Sequence, residues 1–118
     1  MQRLIYHVCR STEWQESQKG DLYPGSSQDR HDGFIHFSTR DQLAASVAKH
    51  RAGQDGLVLL TVDTDALGPA LRWEPARGGQ LFPHLYGPLP VAAVRSVDPL
   101  TRGTDGSHQF PDLKAEVP

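Results

Sequence analysis

The sequence has little cysteine, no long apolar run and no marked excess of charge of one sign. Cys9 is the single cysteine among 118 residues, which excludes an internal disulfide and a cysteine-based zinc site. No apolar run approaches the roughly 18 residues of a membrane-spanning helix. The chain opens on Met1-Gln2-Arg3 and a short strand rather than on the apolar segment of a signal peptide. These absences predict a cytoplasmic protein with no membrane partner.

Charge and length narrow the class of protein further. The formal net charge is -2 at pH 7, so no global positive field recruits nucleic acid, and such a partner would need a local basic groove. A chain of 118 residues typically forms one domain. From Arg102 onwards the sequence is polar, so we predict a globular domain over residues 1–101 and a disordered tail over residues 102–118. Neither length nor charge indicates an oligomeric state.

Hydrophobic runs and turn residues divide the domain into more strands than helices. Because strands and helices do not alternate regularly, we expect an α+β domain rather than a doubly wound sheet. The run Leu57–Val62 is typical of a strand buried on both faces, whereas the prolines within Leu81–Leu89 favour an edge or irregular strand. Residues 20–33 predict a long loop, either a functional lid or a mobile surface loop. The remaining predicted elements are strands over Arg3–Cys9, Phe34–Ser38, Leu71–Glu74 and Val91–Val97, a short helix from Ser11 or Thr12 to Gly20, and a helix over about Arg40–Arg51.

The most informative stretch is Gly33-Phe34-Ile35-His36-Phe37-Ser38-Thr39, which carries a histidine and two hydroxyls from a strand into a helix start. Because side chains alternate along a strand, Phe34, His36 and Ser38 share one face. Capping by Ser38-x-x-Asp41 or Thr39-x-x-Gln42 would account for both hydroxyls. The unpaired N–H groups of a helix start also suit an anion such as phosphate. Both interpretations can hold together.

A second strand, Leu4-Ile5-Tyr6-His7-Val8-Cys9, embeds one more histidine. His7 is either a ligand for a ribose hydroxyl or a proton carrier, or a core histidine bonded to the backbone. Cys9 is predicted to be a buried, inert thiol because it lies in the same strand.

Two later stretches carry further candidate groups. In Trp73-Glu74 the carboxyl group is either a desolvated acid or base or an exposed group at a strand end. Phe82, His84 and Tyr86 supply aromatic faces that stack on bases or nicotinamide, or simply cover the core. A metal site built from His7, His36 and His84 would lack the short spacings usual for metal ligands, so we predict no metal.

These stretches together resemble the uncharacterised bacterial family known as domain of unknown function 952, over about Leu4 to Leu100. More distantly, their order resembles that of RNA 2'-phosphotransferases, which have the ADP-ribosyltransferase-like superfold. That resemblance implies split antiparallel sheets with two short helices that clamp NAD. It also implies that His7 contacts the ribose on the nicotinamide side, that His36-Phe37-Ser38 lines the same cleft and that His84-Leu85-Tyr86 forms part of the final strand. Val8-Cys9 replaces the Gly-Thr of those enzymes, and His84-Leu85-Tyr86-Gly87 replaces their Asn-Gly-Val-Trp segment. Their N-terminal domain with its catalytic arginine has no counterpart in this sequence, so their arginine-based phosphotransferase reaction is not implied.

The residues and the resemblance lead to one main functional prediction and two alternatives. The main prediction is a small protein that binds NAD, ADP-ribose or a related nucleotide and transfers ADP-ribose, with NAD as substrate. The first alternative is an isomerase, cyclase or lyase that uses acid/base chemistry without a cofactor. The second is a non-catalytic module that binds a nucleotide or a protein. The predicted catalytic residues are His7, His36 and Glu74, and the predicted ligand-binding residues are Tyr6, Ser38, Thr39, Trp73, Phe82, His84 and Tyr86.

Overall fold

The computed structural model describes residues 3–111 and residue 113, and its strands form three antiparallel sheets. The first sheet has the order β1-β4-β8, the second has β3-β6-β5, and a two-stranded sheet pairs β2 with β7. Short 3-10 helices lie between the later strands. The strands are β1 (Leu4–Arg10), β2 (Leu22–Tyr23), β3 (Ile35–His36), β4 (Leu57–Asp63), β5 (Leu71–Pro75), β6 (Leu81–Leu85), β7 (Leu89–Pro90) and β8 (Val94–Leu100), and the α-helices are α1 (Ser11–Ser17), α2 (Ser27–Asp32) and α3 (Arg40–His50).

Strand β4 is buried along its whole length, which confirms the prediction of a central strand covered on both faces. Its alternate side chains enter two different hydrophobic cores. The first core takes Val58 and Leu60, with Trp14 of α1. The second core takes Leu57 and Leu59, together with Tyr6, Leu43, Val47 and Leu100. The strand is apolar except at Thr61 and Asp63 because neither of its faces meets water.

Strand β6 is the middle strand of the second sheet, so the predicted edge position for Leu81–Leu89 is wrong. The strand also ends earlier, at Leu85. Proline lacks an N–H group and is costly within a central strand. Pro83 is tolerated because it lies just past the end of β3, where its carbonyl still accepts a hydrogen bond from the Phe37 N–H group at 3.0 Å.

The described residues contain three α-helices, one more than predicted. The additional helix, α2, lies within the predicted loop over residues 20–33. It begins after Ser26, whose side chain accepts a hydrogen bond from the Asp29 N–H group, and ends at Gly33, which has a positive φ of 89°. The prediction missed this helix because its six residues show capping chemistry but no apolar periodicity.

The first two sheets are joined by one backbone bridge between Tyr6 and Ser38. The Tyr6 N–H group donates to the Ser38 carbonyl at 2.9 Å, and the Ser38 N–H group donates to the Tyr6 carbonyl at 2.8 Å. Helix α3 starts two residues after this bridge, with Thr39 as its N-cap residue. The bridge therefore brings the two histidine-bearing strands side by side.

The start of the predicted tail contacts the domain. Arg102 makes a two-point ion pair with Asp55, at 2.7 and 2.9 Å, and a β-bridge joins Arg102 to His108. Phe110 and Leu113 pack against the second core. Residues 112 and 114–118 of the predicted tail lie outside the described residues, and the division into a domain over 1–101 and a disordered tail stays a prediction. None of the helices in the described part of the chain is long and apolar enough to cross a membrane.

Candidate functional site

A cleft of about 730 Å³ follows the junction between the first two sheets. Residues of β1 and α3 line one side of the cleft, next to the first sheet. Residues of α2, β3 and β6 line the other side, next to the second sheet. The structure brings six of the ten predicted site residues to this cleft. They are Tyr6, His7, His36, Ser38, Phe82 and His84.

His7 lies at the cleft wall with both ring nitrogens occupied, and only 4% of the residue is exposed. Its Nδ1 is 2.6 Å from the His36 carbonyl oxygen and its Nε2 is 2.8 Å from the Tyr23 hydroxyl. A carbonyl can only accept, so Nδ1 carries the proton and Nε2 accepts from the tyrosine O–H group. Burial lowers the pKa of His7, which favours this neutral ring. His7 is therefore built as a core histidine that holds β3 in place.

Asp29, which the sequence did not single out, organises this part of the cleft. Its carboxylate is buried and accepts the Ser26 N–H group at 2.8 Å, the His36 N–H group at 3.2 Å and the His36 ring Nδ1–H at 2.6 Å. Its Oδ2 also lies 3.5 Å from His7 Nε2. Burial by itself would raise the pKa of Asp29, but the hydrogen bonds from His36 and Ser26 outweigh it and hold the pKa at about 2.

His36 is the more accessible histidine of this group, with 40% of its side chain exposed. Its Nδ1 faces Asp29 and its Nε2 lies 3.1 Å from Asp32 Oδ2. Both nitrogens can donate to carboxylates only when the ring is protonated. The Phe34 ring packs against it, with the two centroids 4.5 Å apart. The arrangement fixes the ring between two carboxylates at the mouth of the cleft.

One face of the second sheet carries most of the remaining polar and aromatic groups. Strand register pairs His36 with His84 and His84 with Arg72, so these side chains share a face. Trp73 belongs to the opposite face and packs against the first core. Trp73 therefore does not shield the Glu74 carboxyl group from water, because neighbouring residues of a strand point to opposite sides.

Glu74, His84 and Tyr86 form a hydrogen-bonded group on the same face. Glu74 Oε1 lies 2.8 Å from His84 Nδ1 and accepts the Tyr86 O–H group at 2.7 Å. The hydrogen bonds from Tyr86 and then His84 lower the pKa of Glu74, while Glu74 raises the pKa of the Tyr86 hydroxyl. Glu74 is thus a hydrogen-bonded carboxylate rather than a desolvated acid. Glu74 and Tyr86 do not line the cleft themselves, but both belong to the hydrogen-bonded group of His84, which does.

The predicted hydroxyls divide between the cleft and the helix cap. Ser38 is buried and lines the cleft. Thr39 caps α3, and the Gln42 side chain accepts the Thr39 N–H group at 3.0 Å, so the Thr39-x-x-Gln42 register is the one used. Tyr6 packs in the second core and lines the cleft wall.

Cys9 is buried in the first core, as predicted, and burial raises the pKa of its thiol to about 12. Within residues 3–111 and 113 no group of three or more histidine, cysteine, aspartate or glutamate side chains is arranged to hold a metal ion.

Three residues that contact the histidines were not predicted as site residues, namely Asp29, Phe34 and Tyr23, and they differ in how well the sequence indicates their contacts. Asp29 stands three residues after Ser26, the spacing of a capping box, and that spacing is a readable signal. Phe34 shares its strand face with His36, so its packing on that ring could have been inferred. Tyr23 has no local signal, because its partner His7 is 16 residues away in the chain.

Solved structures of one bacterial protein have the same fold. The crystal structure of protein CC0527 from Caulobacter crescentus is 42% identical, covers 90% of this chain and 93% of that chain, and superposes with a TM-score of 0.86. The solution NMR structure of the same protein gives a TM-score of 0.80 and covers 91% of that chain.

No curated protein matches the chain. Residues 8–97 match the model of the family described as "Protein of unknown function (DUF952)". That match begins one residue after His7 and includes β3 with His36 and the group around Glu74. The chain belongs to this DUF952 family.

Proposed function

We propose that the chain binds NAD, ADP-ribose or a related nucleotide in the cleft and transfers ADP-ribose from NAD to an acceptor. The observation that carries the proposal is the cleft at the junction of two small antiparallel sheets, lined by His7, His36 and Ser38. This is the arrangement implied by the resemblance to the ADP-ribosyltransferase-like superfold. Its volume of about 730 Å³ is in the range usual for small-molecule sites, about 300–1,000 Å³.

The charges of the cleft also suit a dinucleotide that carries both signs. The lining includes the carboxylates of Asp29 and Asp32 and the guanidinium groups of Arg10 and Arg51. The nicotinamide ring of NAD is cationic and its pyrophosphate is anionic, so each part has groups of opposite charge available. We assign Ser38, which lines the cleft, to phosphate.

The contacts of His7 change the role proposed for it. Both of its ring nitrogens are engaged within the protein, so it supports the strand bearing His36 rather than holding the ribose itself. We assign the accessible ring of His36 to contact with the ribose, and the carboxylates of Asp29 and Asp32 beside it to the developing positive charge. Phe82 is assigned to stacking, because it lines the cleft beside His84.

Ligand-observed saturation-transfer NMR with NAD tests the proposal. We expect transfer to the nicotinamide and adenine protons with the wild-type protein and loss of that transfer in His36→Ala. The matched control is His31→Ala, because His31 is an exposed histidine of α2 that does not line the cleft. Absence of transfer at millimolar NAD, or equal transfer in both variants, would exclude the proposed site. Ser38→Ala gives an independent check if His36→Ala is unfolded.

A second candidate function is acid/base catalysis without a nucleotide. It is favoured by two histidine–carboxylate pairs, His36 with Asp29 and His84 with Glu74, whose histidine rings are 5.6 Å apart. Such pairs are the usual means of fixing a general acid or base. This candidate predicts no saturation transfer from NAD and a bell-shaped dependence of turnover on pH. A cytoplasmic location and the distant relation to RNA 2'-phosphotransferases stay predictions.

A further inference from the structure

His84 differs from the other two sheet histidines at the cleft in the state of its ring nitrogens. His7 has both nitrogens bonded within the protein, and both nitrogens of His36 face carboxylates. His84 Nδ1 is bonded to Glu74, but the described residues offer its Nε2 no hydrogen-bond partner. This atom is not among the buried polar atoms that lack a partner, so it is reached by solvent.

The surroundings of His84 aim that nitrogen at the cleft. His84 lines the cleft, whereas Glu74, which is bonded to His84 Nδ1, does not. This contrast indicates that the opposite ring edge, which carries Nε2, is the one directed to the cleft. The side chain is 10% exposed. The Phe34 ring covers one ring face, with centroids 4.2 Å apart and planes inclined by 32°. The ring is thus held by packing, and a single nitrogen remains available to a ligand.

The hydrogen-bond inventory determines which nitrogen carries the proton. Glu74 is ionised, since its pKa is lowered by Tyr86 and His84, and a carboxylate has no proton to donate. The Tyr86 hydroxyl donates to the same Oε1 atom. His84 Nδ1 must therefore carry its proton toward Glu74, so in the neutral ring it is Nε2 that holds the lone pair. A neutral imidazole in this tautomer is a base directed into the cleft.

We infer that His84 is a catalytic general base that takes a proton from a hydroxyl group bound in the cleft. Glu74 is a positioning residue that sets the tautomer of His84 and stabilises the imidazolium, and Tyr86 positions Glu74. The electrophile in this step rests on the proposed function. The hydroxyl oxygen bonds to the anomeric carbon of the ribose, the bond from that carbon to nicotinamide breaks, and nicotinamide leaves with the bonding electrons. The hydroxyl proton passes to His84 Nε2 and then to water.

The tautomer is measurable without any ligand. In the ¹⁵N-labelled wild-type protein, long-range spectra of the neutral ring should show His84 with a protonated Nδ1 and an unprotonated Nε2. Glu74→Gln should populate the opposite tautomer as well, because an amide can donate as well as accept. Glu74→Asp should restore the original tautomer in part, a rescue that a purely structural role would not produce. A protonated Nε2 in the neutral ring of the wild type would overturn the inference.

Turnover tests the base separately from the binding site. The acceptor is represented by water and methanol, and the reaction by release of nicotinamide from NAD. His84→Gln should keep the saturation transfer from NAD but lower nicotinamide release about 10²- to 10⁴-fold, the usual contribution of a general base. Full activity in His84→Gln would overturn the inference and leave the proposed function standing. If the wild type does not bind NAD, the proposed function fails, and the ring-nitrogen spectra alone decide the role of His84.

Discussion

The two histidine–carboxylate pairs beside the cleft are built in opposite ways. In the first pair the acid is buried and the histidine is accessible, since the Asp29 side chain is 4% exposed and that of His36 is 40% exposed. In the second pair Glu74 is 33% exposed and His84 is 10% exposed. The chemistry of the two pairs is the same, but their burial is reversed. We infer from this comparison that the Asp29 carboxylate maintains the fold, whereas the Glu74 carboxylate sets the tautomer of the neighbouring His84 ring.

The number of hydrogen bonds follows the burial. Asp29 accepts from two backbone N–H groups and one ring, because a buried charge is costly unless it is fully bonded. Glu74 accepts from two side chains and leaves its remaining capacity to water. Loss of the first carboxylate therefore leaves buried donors without acceptors, whereas loss of the second does not.

The largest expected effect is that of Asp29→Ala on stability. The Ser26 and His36 N–H groups would lose their acceptor inside the protein, so we expect the free energy of unfolding to fall by about 3 kcal/mol. Urea denaturation followed by circular dichroism measures it. Asp32→Ala is the matched control, because Asp32 contacts the same histidine from a more exposed position, and its loss should cost about 1 kcal/mol or less. Equal losses in the two variants would refute a fold-maintaining role for Asp29.

The contribution of Asp29 should disappear in a defined acid range. Its pKa is about 2 in the folded protein and about 3.9 in an unfolded chain. The carboxylate therefore stabilises the fold fully above pH 4, and that stabilisation, about 2 kcal/mol, is lost as the pH falls toward 2. The stability difference between the wild type and Asp29→Asn should shrink over this range. A difference that stays constant from pH 5 to pH 2 would contradict the assignment.

His7 should have a smaller effect on stability than Asp29, and this effect should occur at a higher pH, nearer neutrality. Because burial lowers its folded pKa, the unfolded chain binds more protons as the pH falls below about 6.5. Stability is fully present above that pH and is lost as the pH falls, by at most about 1.4 kcal/mol per pH unit. In His7→Asn the amide still donates to the His36 carbonyl but does not titrate, so this part of the slope should vanish.

The control for His7 is His31→Asn, which removes an exposed histidine of α2. It should keep the wild-type slope of unfolding free energy between pH 7.5 and pH 5. A slope lost equally in both variants would show that general charge, rather than the buried ring, sets the pH dependence.

Glu74→Gln should leave the fold intact. Glu74 is partly exposed, and its carboxylate accepts hydrogen bonds only from the side chains of His84 and Tyr86. No backbone N–H group loses its acceptor in the variant, so we expect the urea midpoint to match that of the wild type. The contrast with Asp29 is measured under identical conditions. A loss comparable to that of Asp29→Ala would erase the distinction between the two pairs.

The smallest expected effect is that of Tyr86→Phe on the titration of Glu74. The Tyr86 hydroxyl is the leading cause of the lowered pKa of Glu74, with His84 second. Removing the hydroxyl should move the pKa of Glu74 upward toward its usual 4.5, without restoring it fully. The ¹³C shift of the Glu74 carboxyl group as a function of pH measures this. An unchanged or lower pKa would show that the hydroxyl does not position the carboxylate.

Local chemistry made part of the fold predictable. The buried run of β4, the start of α3 after Thr39 and the inert Cys9 all depend on neighbouring residues or on hydrophobicity alone. The central position of β6 and the helix α2 were not predictable in the same way. The first depends on which strands pair across the chain, and the second is six residues of capping chemistry in a stretch dominated by turn formers.

The candidate site shows the same division. Alternation along a strand places His36 and Ser38 on one face, and that face does meet the cleft. The partners of these histidines come from elsewhere. Tyr23 reaches His7 across 16 residues, and Glu74 reaches His84 through strand pairing, so neither contact leaves a local trace.

The sequence by itself determined the histidine-bearing strands, the apolar centre of the first sheet and the family. Tertiary structure alone decided which partners the ring nitrogens of each histidine have and which carboxylate is buried. The physical reason is that side-chain type and alternation are properties of neighbouring residues. A tautomer or a pKa, by contrast, depends on burial and on donors that the folded chain brings from distant positions.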